Sequence, residues 1–293
     1  MQADLMAKRL RKAAHVASPS YWRWRRFQRS LTFDPDAVPG PLPEPEPNDF
    51  LMCGSPRSGT SLVCAALFQP PASLTVMEPW DGMRLPPRDL FDSIRRELAD
   101  TGHLARGKLD VERLFESGSV RWCREGEARV KVDALPAVIG VKWPAFWRYL
   151  DRLPTTKFVV CLRHPVEVIA SYRTTGGSLG EGFDYAIPFN RHMNEQLRTA
   201  TRSGAVRRIL LYDHINAKLL PHLSRSNVFA LRYERWFHEP RVVLEELGAF
   251  LGVEVSAMHV KISPPRRSPE VLAEDIDLIR RHCRTVEALG YRV

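Results

Sequence analysis

Between two apolar runs, Phe50–Cys53 and one resuming at Leu62, the chain places Gly54-Ser55-Pro56-Arg57-Ser58-Gly59-Thr60-Ser61. The Gly54 to Gly59 spacing is that of a loop whose backbone N–H groups wrap a phosphate, and the helix expected after it adds the positive end of its dipole. A triphosphate-binding loop continues with lysine at the next position, where this chain has Thr60. Its cation lies inside the loop, at Arg57. Without the lysine, the contact to the β- and γ-phosphates of ATP is lost, whereas a planar guanidinium can hold a group carried on a single 5′-phosphate. A second cationic corner, Arg163-His164-Pro165, follows the apolar run Lys157–Leu162. A magnesium-dependent triphosphatase carries an aspartate at the end of such a strand. Here the charge is reversed, which points to an anion bound directly by the protein, with no metal.

Two further charges sit at the ends of apolar runs. Glu78 follows Ser73–Met77 and precedes Pro79. The carboxyl ends of parallel strands border the ligand crevice of open α/β sheets, and a carboxylate there can act as general base. Lys142 closes Val138–Val141, and a lysine at the end of a buried strand is costly unless it meets solvent, a partner or an anion. His164, His214 and His238 read as structural or exposed. The cysteines show no metal-like spacing, and Cys53, Cys64 and Cys161 lie in apolar segments as small buried side chains, which fits a reducing compartment.

At these residues the chain resembles the sulfotransferases that use 3′-phosphoadenosine 5′-phosphosulfate (PAPS). Pro56, Arg57, Ser58, Gly59, Thr60 and Ser61 match that family's first signature, P-[KR]-[ST]-G-[TS]-[TS], and Arg163 with Pro165 and Ser171 matches its second, R-x-P-x-x-x-x-x-S. The segment Leu231-Arg232-Tyr233-Glu234, followed by Pro240 and Phe250-Leu251-Gly252, is similar to a third. The resemblance implies transfer of a sulfuryl group from PAPS to an acceptor hydroxyl or amine, releasing adenosine 3′,5′-bisphosphate (PAP). It assigns Arg57, Ser58, Gly59, Thr60 and Ser61 to the 5′-phosphate, and Arg163 and Ser171 to the 3′-phosphate. Tyr233 would lie near the nucleotide and Lys142 on the sulfuryl oxygens. Glu78 would be the base, as in the branch acting on tyrosine or sugar hydroxyls. The cytosolic aryl branch instead has a histidine after the lysine-bearing strand, where this chain has Trp143 and Pro144. Lys261–Ser268 occupies the place of the family's loop over the 3′-phosphate; the usual glycines are missing, and Arg267 or Arg266 is the candidate there.

The elements that must position these groups read as an α/β domain. Its expected form is a three-layer, P-loop-like fold, with a central, mainly parallel sheet of about five strands flanked by helices. The strands are Phe50–Cys53, Ser73–Met77, Val138–Val141, Lys157–Leu162 and Asn227–Leu231. Leu90, Ile94 and Leu98 mark a helix, residues 109–125 hold another, Gly176–Gly182, with four glycines in seven residues, is expected to be a mobile loop, and 188–220 is largely helical. The acceptor pocket is expected from segments 79–135 and 173–200, whose aromatics include Trp80, Phe91, Trp122, Phe183 and Tyr185. They suit a small-molecule, carbohydrate, lipid or peptide acceptor alike.

The charge is unevenly spread. Residues 1–30 carry eight lysines and arginines against Asp4 alone, which is +7 of the chain's formal +9. The body is therefore close to neutral and no nucleic-acid partner is expected, while the basic arm with Tyr21, Trp22, Trp24 and Phe27 suits an anionic membrane surface. Residues 34–48 are proline-rich and read as an extended linker. The expected division is 1–48 for arm and linker and 49–293 for the catalytic domain. With no long apolar run and no signal-peptide pattern, the expected location is cytoplasmic, peripheral at a membrane where the arm engages one. Two rivals remain: a P-loop-type nucleotide kinase, and a non-catalytic protein that binds anionic surfaces with an inherited nucleotide fold.

Overall fold

Strands buried on both faces need near-continuous apolar residues, and the five apolar runs supply them. The computed structural model describes residues 33–124, 126–127, 129–185, 190–255, 260 and 270–293. In chain order these residues form β1 (Phe50–Gly54), α1 (Thr60–Ala66), β2 (Ser73–Met77), α2 (Pro87–Thr101), β3 (His103–Leu104), α3 (Val111–Ser117), β4 (Val130–Lys131) and β5 (Val138–Lys142). Then come β6 (Lys157–Leu162), α4 (Pro165–Thr174), α5 (Arg191–Ala200), α6 (Gly204–Leu219), β7 (Val228–Arg232), α7 (Arg235–His238), α8 (Pro240–Leu251) and α9 (Ala273–His282). The basic arm and the candidate residues Arg266 and Arg267 lie outside the described residues.

The main sheet is all-parallel, in the order β2-β5-β1-β6-β7. Every residue of β1, β2 and β5 is buried, so helices cover both faces of the sheet's centre. The chain runs from β1 outward to β2, returns through β5, and crosses to β6 on the other side of β1. That reversal opens a crevice at the carboxyl ends of the central strands, where all the predicted charges lie. Between β2 and β5 the chain inserts α2, α3 and a two-stranded antiparallel ladder of β3 and β4. Leu90, Phe91, Ile94 and Leu98 form the buried stripe of α2, and α3 starts where the Asp110 side chain accepts from the Arg113 amide at 3.1 Å.

Two stretches read from composition are more fixed than composition suggests. The Arg152 guanidinium donates to the carbonyls of Pro35, Val38 and Gly40, and Leu42, 4% exposed, donates its amide to Arg152 O at 2.9 Å. The proline-rich segment is thus fastened along the body. The glycine-rich loop contains a 3-10 turn, Leu179–Glu181, whose carbonyls at Gly180 and Glu181 accept from Arg208 and Arg207 at 3.1 and 3.0 Å.

Candidate active site

Among the described residues the two non-glycine residues with positive φ are Arg57 (70°) and Glu78 (48°), both singled out by sequence. Such conformations cost free energy and persist where the surrounding structure fixes them, commonly at functional sites. Arg57 lies at the crest of the loop after β1, with its side chain exposed. Gly59 follows at φ 98° and caps α1 without a side-chain bond, so the first-turn amides of Thr60 and Ser61 have no acceptor inside the helix. From below, Asn216 of α6 donates to Ser55 Oγ at 2.9 Å. Ser58 faces inward: its amide donates to Ser55 O at 3.0 Å, and its hydroxyl is buried without a partner, beneath Gly54.

The second corner meets the first directly. Gly54 is in register with Cys161 on β6, so Arg163 emerges beside the loop. Arg163 Nη1 donates to Arg57 O at 3.1 Å, its Nη2 pairs with Glu167 at 3.2 Å, and its guanidinium carbon lies 4.4 Å from the centroid of the Tyr233 ring. Arg57 Nε donates to Ser171 Oγ at 2.9 Å across 114 residues of sequence. Tyr233 also explains Gly59, because a Cβ there would lie 2.2 Å from Tyr233 Cδ2. Burial pushes the Tyr233 phenol up, opposed in part by Arg163 and Arg57. Arg163 Nε is buried with no partner, a donor available to an anion.

Facing these cations is a buried ion cluster. Glu78, 4% exposed, places Oε1 on Lys142 Nζ and Oε2 3.5 Å from Lys108 Nζ. Lys142, 2% exposed, also donates to Ser61 Oγ at 3.3 Å, which ties the cluster to the first turn of α1. The Glu78 amide donates to Lys142 O at 2.8 Å, holding the turn after β2 against β5. A cavity of about 330 Å³ brings Arg57, Thr60, Ser61, Glu78, Lys142, Arg163 and Tyr233 onto one surface. Ser171 stands behind Arg57.

Of the aromatics expected in an acceptor pocket, Trp122 and Tyr185 line this cavity. Phe91 is instead a core residue, fully buried on α2, and Phe183 lies beneath the guanidinium groups of Arg198 and Arg207. His164 and His214 are outside the cavity lining, as is His238 on α7; His164 bonds Arg292 O at 3.0 Å and stacks edge-on against Tyr291. Burial pushes the thiols of Cys64 and Cys161 up to about 12, so they are inert. Among the described residues no cluster of three His, Cys, Asp or Glu side chains is placed to hold a metal ion.

Sequence reasoning missed Lys108. It lies in irregular chain between β3 and α3, and only its preceding glycine, Gly107, marks the position as a turn.

Residues 49–257 match the model of the sulfotransferase family. The nodulation protein NoeE of Sinorhizobium fredii (strain NBRC 101917 / NGR234) is 26% identical over 226 residues, covering 72% of this chain and 51% of the relative. The chain thus spans about half the length of that relative. Among solved structures, a sulfotransferase from Alicyclobacillus acidocaldarius is 18% identical with a TM-score of 0.42, covering 86% of this chain and 98% of that one. A sulfotransferase domain from the curacin biosynthetic pathway is 14% identical with a TM-score of 0.44, covering 87% of this chain and all of that one. The family match alone takes in more than two-thirds of the sequence, together with both arginine corners, Glu78 and Lys142, and on that ground the chain belongs to the sulfotransferase family.

Proposed function

We propose that the chain transfers a sulfuryl group from PAPS to the hydroxyl or amine of an acceptor and releases PAP. The observation that carries this reading is the joining of the two arginine corners, with Arg163 on the Arg57 carbonyl at 3.1 Å, over a cavity that also holds Glu78 and Lys142. A donor with phosphate at both the 3′ and 5′ positions matches two adjacent cationic corners. The unpartnered Arg163 Nε and the free first-turn amides of Thr60 and Ser61 are donors suited to it.

In this reading Arg57, Thr60 and Ser61 bind the 5′-phosphate, and Arg57 neutralises charge on the oxygen that leaves. Ser58 supports the loop from inside. Arg163 holds the 3′-phosphate, and the hydroxyl of Ser171, which accepts from Arg57 Nε, retains its own proton to donate. Lys142 stabilises charge on the sulfuryl oxygens, and Tyr233 orients the nucleotide through its contact with Arg163. The acceptor oxygen bonds to sulfur as the bond from sulfur to the 5′-phosphate oxygen breaks. Glu78 takes the acceptor's proton, and the departing phosphate keeps the electron pair. Preorganised charge in a partly closed site supplies most of the acceleration, as in phosphoryl transfer. A glutamate base is the feature of the branch acting on tyrosine or sugar hydroxyls, and Glu78 in this role supports that branch for the acceptor.

Thermal-shift titration with PAP, with ATP and magnesium, and with anionic liposomes tests the reading. Stabilisation by PAP in the absence of magnesium is expected. Stabilisation by ATP and magnesium alone would favour the kinase, and by liposomes alone the surface-binding protein. Incubating extracts with labelled PAPS and following the label by mass spectrometry identifies the acceptor.

A further inference from the structure

We propose that Lys108 is a positioning residue for Glu78: it keeps the carboxylate ionised and aimed into the cavity when Lys142 is drawn onto the transferred group. The inference rests on the sulfuryl-transfer reading above and extends it to a residue outside the motifs.

Lys142 is asked to do two things at once. In the structure its ammonium is shared between Glu78 Oε1 and Ser61 Oγ. A sulfuryl anion competes for that ammonium, and a carboxylate that loses its counterion in a buried site tends to take up a proton and cease to be a base. A second cation on the opposite carboxylate oxygen removes the conflict. Lys108 Nζ, 3.5 Å from Oε2, is that cation.

The backbone places Lys108 deliberately. Its amide donates to Met77 O, the residue before Glu78, at 2.8 Å, and its carbonyl accepts from the Cys123 amide at 3.0 Å. An antiparallel bridge joins Leu109 to Trp122. Gly107, at φ +86°, permits the approach, since a Cβ there would lie 3.0 Å from Val76 Cγ1. The ammonium also lies near two indoles, 5.0 Å from the ring centroid of Trp143 and 5.8 Å from that of Trp122, whose faces attract a cation. The insertion between β2 and β5 thereby brings a second ammonium onto Glu78 from outside the main sheet.

Across the same cavity Arg57 and Arg163 are engaged elsewhere, Arg57 on Ser171 Oγ and Arg163 on Glu167 and the Arg57 carbonyl, and the other groups facing Glu78 cannot replace Lys108 either. Lys142 of β5 is the group being withdrawn. Cys64 of α1 is held neutral by burial, with its thiol pushed up to about 12, and burial pushes the phenol of Tyr185 upward as well. Asp81, in the turn after Glu78, is paired with Arg106 at 3.3 Å.

The test uses the full chain with glutamate side chains labelled with ¹³C, the Glu78 carboxyl resonance being assigned by its loss in Glu78→Gln. In Lys108→Met the midpoint of that resonance should move to higher pH by about 1–3 units relative to wild type when the PAP complex is titrated with inorganic sulfate present as the anion that draws on Lys142. Lys108→Arg should restore it, and PAP affinity should stay within about twofold throughout. An unchanged midpoint in a Lys108→Met protein that binds PAP normally overturns the proposal while leaving sulfuryl transfer intact. Failure of the wild type to bind PAP removes the underlying reading instead. A Lys108→Met protein that no longer binds PAP, with Lys108→Arg equally impaired, makes Lys108 part of the scaffold and also overturns the proposal.

Discussion

Replacing Glu78 with glutamine deletes one negative charge and almost no volume. Its consequences divide into a stability term and a rate term. The carboxylate is 4% exposed and faces Lys142, itself 2% exposed. Removing one partner of such a buried pair strands the other charge and costs about 3–5 kcal/mol. The glutamine carbonyl still accepts from one ammonium, and Lys142 keeps Ser61 Oγ at 3.3 Å, so the lower end of that range is expected. With an unfolding entropy of about 2 cal/mol/K per residue, a chain of this length should lose about 5 °C in Tm. Turnover, followed as PAP released from PAPS, should fall by about 10²–10⁴ with the loss of a general base. PAP should stabilise the variant about as much as the wild type, because its phosphates are assigned to Arg57, Thr60, Ser61 and Arg163 and not to the Glu78 pair. Wild-type turnover in Glu78→Gln would falsify the base assignment. A Tm within about 1 °C of wild type would show that Glu78 and Lys142 are not the mutually dependent pair described, and lost turnover together with lost PAP stabilisation would mean a damaged fold.

Other outcomes follow from the same geometry. Arg163→Ala should weaken PAP by about 10- to 100-fold through loss of charge-assisted hydrogen bonds, and weaken adenosine 5′-phosphate far less; calorimetry that finds equal weakening contradicts the 3′-phosphate role. Gly59→Ala should abolish PAP binding, since its Cβ would lie 2.2 Å from the Tyr233 ring; adding Tyr233→Ala should relieve the overlap and leave only the φ strain, which thermal shifts of the two variants can separate. Asp184, 2% exposed, has its carboxyl raised from 3.8 to about 6 by burial. Its folded form therefore binds a proton more tightly than the unfolded chain, and its contribution to stability is lost as pH rises between those values. Asp184→Asn, which can still accept from the Tyr185 amide, should gain stability relative to wild type across that interval, by no more than about 3 kcal/mol. Urea unfolding at pH 4 and pH 7 measures the difference.

What could be read from the sequence was local. Gly54 to Ser61 and Arg163 to Ser171 are each short motifs in which residue type and spacing already encode a strand-to-helix corner, and both stand where expected. The five strands were legible because a doubly covered sheet demands unbroken apolar runs. Glu78 and Lys142 were found because each ends such a run, although their direct pairing, 64 residues apart, was not. Lys108 escaped because its role depends on Glu78, thirty positions earlier and reached through an irregular loop. The proline-rich stretch was read from composition as a linker, but it is fastened by Arg152, whose guanidinium donates to main-chain carbonyls, and by Glu44, whose carboxylate accepts from the Thr155 amide and the Thr156 hydroxyl, contacts more than 110 residues apart in sequence that composition cannot show. The expected aromatic pocket was only half legible, since composition cannot tell Trp122, at the cavity mouth, from Phe91, in the core.

The pairing of Gly54 with Cys161 on neighbouring parallel strands has a further consequence. The strands that carry the two arginine corners stand one interstrand step of hydrogen-bonded backbone apart, about 4.8 Å, a spacing set by the sheet and not by the loops. Engineering the chain to accept a differently proportioned donor would therefore mean rebuilding the sheet, whereas changing what receives the group requires only new side chains in the insertion.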